Sequence, residues 1–242
     1  MFKTFIVANR SLSNKFENLF GFNRDDSILL RGVFKSLEAQ TTIADVGGGK
    51  KPAINILGHR LHNSVYDGYD ISLEELNEAR HSYTDIYQID LTAKKQKSKQ
   101  YDLIICLNTL EHVDDIRPAI ENLAGMLNQG GRLYIKLPCK YALFAKLNKF
   151  LPERLKKHLL HKIFPEKVGD GFKAYYDRSC PKEITDISEK YGLQLVEKNI
   201  VKWSSYFSFF FPAYVIWRMM TLLQNLFNRN YCESFEMVFI KK

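Results

Sequence analysis

Apolar positions in this chain follow two rhythms. Between residues 11 and 40, Phe16, Leu19 and Phe20, then Ile28, Leu29, Val33 and Leu37, recur at helical spacing with a break near Gly21, which predicts lead-in helices over residues 1–40. From residue 41 the pattern turns into short runs of β-formers, and TIADV (42–46), SVYDGYDI (64–71), DIYQIDL (85–91) and YDLIICL (101–107) are predicted strands. RPAIENLAGMLN (117–128) is a predicted helix stopped by Gly130 and Gly131, and RLYIKLP (132–138) is a fifth strand. Continuous apolar runs separated by helices imply strands buried on both faces, hence a doubly wound α/β fold on a mostly parallel sheet.

After Pro138 the rhythm breaks. Residues 139–180 carry basic helical patterns and the aromatic stretch GFKAYYDRSC, a segment placed to cover a substrate. PKEITDISEKYG then starts with a proline at a helix start and ends at Gly192, while LQLVEKNIV (193–201) and SFEMVFIKK (234–242) are the last two strands. An apolar insert, residues 203–233, separates them. Its stretch WSSYFSFFFPAYVIW (203–217) stops at Arg218 and is interrupted by Pro212, short of the roughly 20 apolar residues of a spanning helix. Beyond Phe211, Arg218, Thr221, Asn225 and Asn228 form a narrow polar stripe on an otherwise apolar helix, which is expected to bury its wide face on its own domain, in a homodimer or in a bilayer interface. PERLKKHLLHKIF adds a basic amphipathic helix over 153–164 that suits a lid or an anionic membrane surface; His158 and His161 in it read as solvated.

Composition narrows the setting. With 242 residues and 45% hydrophobic content, the chain is expected to form one domain over 1–242. The formal charge of +8 is compatible with nucleic acid or an anionic membrane, yet much of it sits in KKQKSK (94–99), which reads as a solvated loop, and in 146–173. Cys106, Cys139, Cys180 and Cys232 show no CxxC spacing, so neither a metal site nor a disulfide framework is predicted. The start MFKTFIVANRS has too little of a secretory pattern, and the expected location is the cytoplasm, with the inner face of the cytoplasmic membrane left open.

The chemistry starts at TIADVGGGKKP (42–52). A glycine-rich turn after the first strand of such a sheet lets backbone approach a ligand. A phosphate-binding loop fails here, since Ala44 stands where its first glycine belongs and Lys51 where its hydroxyl belongs; a GxGxxG fingerprint from Gly47 fails at Pro52. Asp45, inside the strand and two residues before the turn, suits a ligand that brings an ammonium group, as S-adenosylmethionine does.

In motif order over 41–138, these residues resemble the class I S-adenosylmethionine-dependent methyltransferases, of the type 11 kind. ADVGGGKKP is similar to the family's first motif, YDGYDIS to its second-strand segment, and YQIDL, YDLIICLNTLEHVDD and GGRLYIKLP to its later ones. The resemblance implies a Rossmann-like seven-stranded sheet with an antiparallel last strand. It also implies cofactor contacts from Asp45, Val46, Gly47, Gly48 and Gly49, from Asp70 on the ribose hydroxyls with Ile71 on the adenine, and from Asp90, Leu91, Leu107 and Asn108. Local roles compete for some of these: Asp45 as a cap of the glycine turn, Asp70 in a helix N-cap, Asp90 as a turn carboxylate. Glu111 and Asp114 are candidates to cap the helix after the fourth strand.

Methyl transfer from a sulfonium is an in-line displacement, so the protein mainly aligns the acceptor and excludes water. A hydroxyl acceptor gains from a general base. His112, just past the fourth strand, is the leading candidate, with Tyr175, Tyr176 and Asp177 as alternatives. LPERLK, YYDR and FFFP carry a looser resemblance to methyltransferases of bacterial polysaccharide and lipid-linked glycan pathways, which implies a sugar hydroxyl or carried lipid as acceptor. The expected acceptor is a small molecule, a glycan or lipid-linked, and the amphipathic 153–164 and apolar 203–228 suit peripheral membrane contact. Two rivals stand beside this reading. A nucleic-acid methyltransferase would carry an Asn/Asp-Pro-Pro-aromatic signature where LNTLEH stands, so no nucleic-acid partner is expected; the other rival is a non-catalytic cofactor- or partner-binding protein.

Overall fold

The computed structural model describes residues 2–20, 28–35, 40–57, 64–93, 99–150, 152, 172–204, 206–228 and 230–242. The basic helix expected over 153–164, with His158 and His161, lies outside them, as does most of the 94–99 run. Strands β1 (Thr42–Val46), β2 (Val65–Asp70), β3 (Ile86–Gln88), β4 (Tyr101–Leu107), β5 (Leu127–Pro138), β6 (Leu193–Val201) and β7 (Ser234–Lys241) form one sheet in the order β3-β2-β1-β4-β5-β7-β6. The pairs from β3 to β5 are parallel, and β7 runs antiparallel to both β5 and β6.

The central strands show why their apolar runs are continuous. Ala44, Val46, Ile104 and Cys106 enter the core on one face of the sheet, and Ile43, Leu103 and Ile105 enter the core on the other. Strand order reverses between β1 and β4, the switch point at which strand C-termini open a crevice. Around the sheet lie α1 (Phe2–Leu19), α2 (Ile28–Lys35), α3 (Ala53–Leu57), α4 (Leu73–Glu78), α5 (Ile116–Gly125), α6 (Leu143–Phe150), α7 (Pro181–Lys190) and α8 (Phe211–Phe227).

Helix α1 begins at Phe2, inside the 1–40 span expected to hold lead-in helices. One sequence expectation is corrected. Helix α5 ends at Gly125 and is not stopped by Gly130 and Gly131; those glycines lie inside β5, where a register shift between Tyr101 and Leu103 makes room for the extra residues. Pairing of Leu127 with Tyr101 and the Tyr101 amide on the Met126 carbonyl (2.8 Å) pull the chain into the sheet directly after the helix.

The sequence leaves three places open for the wide apolar face of α8. Its polar stripe is turned inward: Arg218 and Thr221 are buried beside Tyr214 and Trp217, whereas Ile216, Met219, Leu223, Leu226 and Phe227 face solvent. The wide apolar face is not buried on the chain's own core. The physical reason is α1, whose Asn9, Ser13 and Glu17 offer a matching polar stripe. Asn9 Oδ1 accepts from the Phe211 amide (2.9 Å), the Ser13 hydroxyl donates to the Ser208 carbonyl (3.0 Å), and Glu17 Oε1 takes Arg218 Nη2 at 2.9 Å and the Tyr214 hydroxyl.

Candidate active site

The glycine turn leaves β1 at the switch point and is folded by its surroundings as much as by its own residues. Gly47 has φ 78°, and a Cβ there would lie 2.1 Å from Thr109 Oγ1, so only glycine satisfies both the backbone and the space. Thr109, just past β4, donates to the carbonyls of Val46 (3.2 Å) and Leu107 (3.1 Å), tying the first loop to the fourth. Gly48 sits directly over Asp45, whose Oδ2 would be 2.6 Å from a Cβ added there.

Asp45 therefore works first beneath the loop. Its Oδ2 accepts from the Ala53 amide (2.7 Å) at the start of α3 and from the Tyr66 hydroxyl (2.5 Å), while Oδ1 is buried with no hydrogen-bond partner. Burial pushes its carboxyl up from the usual 3.8 to about 6, against the lowering effect of those donors. Tyr83 stacks on Tyr66 at 5.3 Å and donates to the Gly49 carbonyl at 3.2 Å, closing a buried ring of groups around the turn.

Across the crevice, β2 ends in Asp70. Its carboxylate receives the amides of Ser72 (2.9 Å), Ile71 and Gly49, which lower a pKa that burial raises on balance. The N-cap of α4 is Ser72, whose hydroxyl accepts from the Glu75 amide, so Asp70 is not the capping residue. Ile71 beside it is 55% exposed, an apolar surface left open next to a carboxylate. The Ile89 amide donates to the Asp70 carbonyl, which brings Asp90 alongside; Asp90 Oδ1 is engaged by the Thr92 amide and hydroxyl in a local turn. Leu91 turns its side chain into the core, and Val46 is buried as well, so neither offers a side chain to a ligand.

Beyond β4, Asn108 holds φ 51°, a left-handed conformation that asparagine tolerates better than most residues. Glu111 is buried, its Oε2 has no partner, and burial lifts its carboxyl from the usual 4.5 to about 8. At neutral pH it keeps its proton, so its 3.9 Å approach to His112 Nε2 is not an ion pair. His112 Nδ1 lies 3.0 Å from the Lys173 carbonyl. A carbonyl only accepts, so Nδ1 carries the proton and Nε2 holds the free lone pair of the neutral ring.

The YYDR stretch is clamped onto this segment. Both the Tyr175 and Tyr176 amides donate to the Glu111 carbonyl (2.8 and 3.1 Å). Tyr176 (φ 53°) and Arg178 (φ 44°) both occupy the left-handed region, a local strain of the kind found at sites. Tyr176 is buried with its hydroxyl on Asn148, which ties this stretch to α6, and burial raises its pKa; Tyr175 is half-exposed. Asp177 receives the Ile116 amide and pairs with Arg178, so it supports α5. The N-cap of α5 is Asp115, not Glu111 or Asp114. A cavity of about 480 Å³ opens here, lined by Asp114, Lys140, Lys149, Tyr175, Tyr176 and Arg178 among others.

Sequence reasoning missed Thr109, Tyr66, Tyr83 and Asn148. Each acts across more than 20 residues of chain, and no local pattern marks them. Among the described residues no group of His, Cys, Asp and Glu is placed to hold a metal ion.

A family model described as a methyltransferase domain matches residues 44–133, the stretch from β1 into β5 that carries this crevice. The ubiquinone biosynthesis O-methyltransferase of Coxiella burnetii is 25% identical over 181 residues, 67% of this chain and 70% of its own length. Among solved structures, the N-methyltransferase NodS of Bradyrhizobium japonicum, in complex with S-adenosyl-L-homocysteine, is 15% identical with a TM-score of 0.53 over 89% of this chain and 85% of its own. The TehB-like SAM-dependent methyltransferase of Corynebacterium glutamicum is 16% identical with a TM-score of 0.51 over 98% of this chain and 99% of its own.

Proposed function

We propose that this class I S-adenosylmethionine-dependent methyltransferase transfers the methyl group to a hydroxyl on a small-molecule, glycan or lipid-linked acceptor. The observation that carries the hydroxyl is His112: the Lys173 carbonyl fixes its tautomer and leaves Nε2 as a proton acceptor at the C-terminal edge of β4. The relative from Coxiella burnetii, named for O-methylation, supports the same acceptor class.

The residues fit the cofactor. Asp70 and the open face of Ile71 suit a ribose beside a purine, the Gly47–Gly49 turn admits close backbone approach, and the orphaned Asp45 Oδ1 suits a donor such as an ammonium group. Asp90 and Leu91 follow the C-terminal end of β3, and Leu107 and Asn108 lie at that of β4, which suits contact with the same ligand. When bound, the sulfonium supplies an electrophilic methyl carbon with a neutral leaving group. His112 Nε2 takes the proton of the acceptor hydroxyl as its oxygen becomes the nucleophile. The ring keeps its orientation through the Lys173 carbonyl, and Tyr176, locked between Glu111 and Asn148, holds the lid segment over the reacting groups so that water is kept out. Tyr175 is left to touch the acceptor.

An acceptor carried on lipid would be met at the inner face of a membrane, and contact through 203–228 fits that reading. The test is transfer of radiolabelled methyl from S-adenosylmethionine into total lipid and glycan extracts, followed by mild alkaline hydrolysis. An ether formed on a hydroxyl survives the alkali; release of the label as methanol would mean a carboxylate acceptor and end the hydroxyl reading.

A further inference from the structure

A soluble helix normally hides its apolar stripe and shows its polar one; α8 does the reverse. At about 100° per residue, Tyr214, Arg218 and Thr221 lie on one side and Ile216, Met219, Leu223, Leu226 and Phe227 on the opposite side. The first set is buried, and in the second Leu226 is 69% and Phe227 85% exposed. The inversion is built in, because Arg218, the one charge of α8, is committed to Glu17 of α1 at 2.9 Å and stands over the rings of Trp203 and Tyr214 at 5.4 Å. Helix α1 adds Phe5, Leu12 and Leu19, spaced by seven and all exposed. Exposed apolar side chains on two helices packed together are the kind of surface that serves as an interaction face.

The geometry points to one occupant: α8, flanked by α1, is a docking face that seats its outer apolar side in an anionic phospholipid surface. This deepens the membrane contact proposed for 203–228 and is independent of the acceptor. Charge selects the lipid. Among the described side chains, the exposed charges on the two helices are Arg10 and Lys15, both positive, while their only acid, Glu17, is buried. Long basic side chains beside an apolar face can reach anionic headgroups while that face enters the acyl boundary. A second copy is disfavoured by the same charges, since a two-fold interface would bring Arg10 and Lys15 of both copies together in a chain of net charge +8.

Docking would also reach the site. Trp217 of α8 meets Tyr206 at 5.8 Å, Tyr206 stacks on Phe144 of α6 at 3.9 Å, and Asn148 of α6 holds the Tyr176 hydroxyl at 3.1 Å. The lid therefore leans on the docking helix, which suits an acceptor presented from a bilayer.

The experiment is co-sedimentation of the full chain with vesicles of phosphatidylglycerol and phosphatidylcholine, or of phosphatidylcholine alone, beside the variant Met219→Gln/Leu223→Gln/Phe227→Gln and light-scattering mass. All three positions are exposed, so the variant keeps its fold, checked by unchanged affinity for S-adenosylhomocysteine. The wild type is expected to partition to the anionic vesicles, and the variant to lose about tenfold of that partition. Absence of wild-type binding, equal binding to neutral vesicles, an unaffected variant, or a wild-type dimer that the variant converts to monomer would each overturn the proposal. Failure to bind S-adenosylhomocysteine in both proteins would strike the functional reading and leave the vesicle result standing.

Discussion

The Nδ1 atom of His112 lies 3.0 Å from the carbonyl oxygen of Lys173, so a residue past β4 is oriented by backbone 61 positions further along the chain. In the proposed mechanism the other ring nitrogen, Nε2, is the proton acceptor. His112→Ala is expected to lower methyl incorporation into the extract acceptor by about 100-fold while leaving affinity for S-adenosylhomocysteine unchanged. Full activity in this variant would remove the base from the mechanism.

Asp70 meets three backbone amides and stands beside an open apolar face. Calorimetric titration with S-adenosylhomocysteine should show at least about a tenfold loss for Asp70→Asn, which keeps the side chain's size, with no change in the far-ultraviolet spectrum. Unchanged affinity would place the ribose elsewhere.

The left-handed backbone of Gly47 under Thr109 predicts that Gly47→Ala loses cofactor binding and that Thr109→Ala in the same chain restores only part of it, because the conformational cost of about 1–2 kcal/mol remains after the clash is relieved. Complete rescue would mean that space alone required the glycine.

Burial gives the stability a pH dependence. Glu111 holds its proton up to about 8 in the folded chain against the usual 4.5. A raised carboxyl contributes stability that is fully present below the unfolded value and is lost as pH rises through the folded one. Between 4.5 and 8 the loss is on the order of 1.4 kcal/mol per pH unit, and Asp45, lifted to about 6, adds to it between 3.8 and 6. Thermal melts at pH 6, 7 and 8 should fall for the wild type and stay nearly level for Glu111→Gln. Parallel falls in both proteins would show that Glu111 ionises freely.

The buried Glu17–Arg218 pair separates packing from charge. Arg218→Ala is expected to cost about 3–5 kcal/mol by leaving Glu17 buried without its cation, whereas Glu17→Gln with Arg218→Met should cost less than that single change. Denaturant unfolding measures both, and a double variant worse than the single would mean that the pair is itself strongly stabilising.

The strands and the crevice were legible from local signals. Alternate faces of β1 and β4 are both apolar, which requires burial on both sides, and the glycine turn with Asp70 about twenty residues beyond it marks where the cofactor is proposed to approach. What supports that turn was not legible: Thr109, Tyr66 and Tyr83 reach it from the segment after β4, from β2 and from the segment before β3. Such contacts depend on strand order, and no spacing along the chain encodes them. The same holds for Asp115, which outcompeted Glu111 and Asp114 for the start of α5 by the final backbone path alone.

The clearest division lies in α8. Sequence by itself determined that residues 211–228 make a helix with a narrow polar stripe and a wide apolar face. Only the tertiary structure decided that the stripe faces inward, because Glu17, which meets its Arg218, and Asn9 and Ser13, which tie α1 to the start of α8 and the turn before it, lie about two hundred residues earlier. Periodicity fixes which residues share a face. The direction of that face is set by what the rest of the chain brings against it.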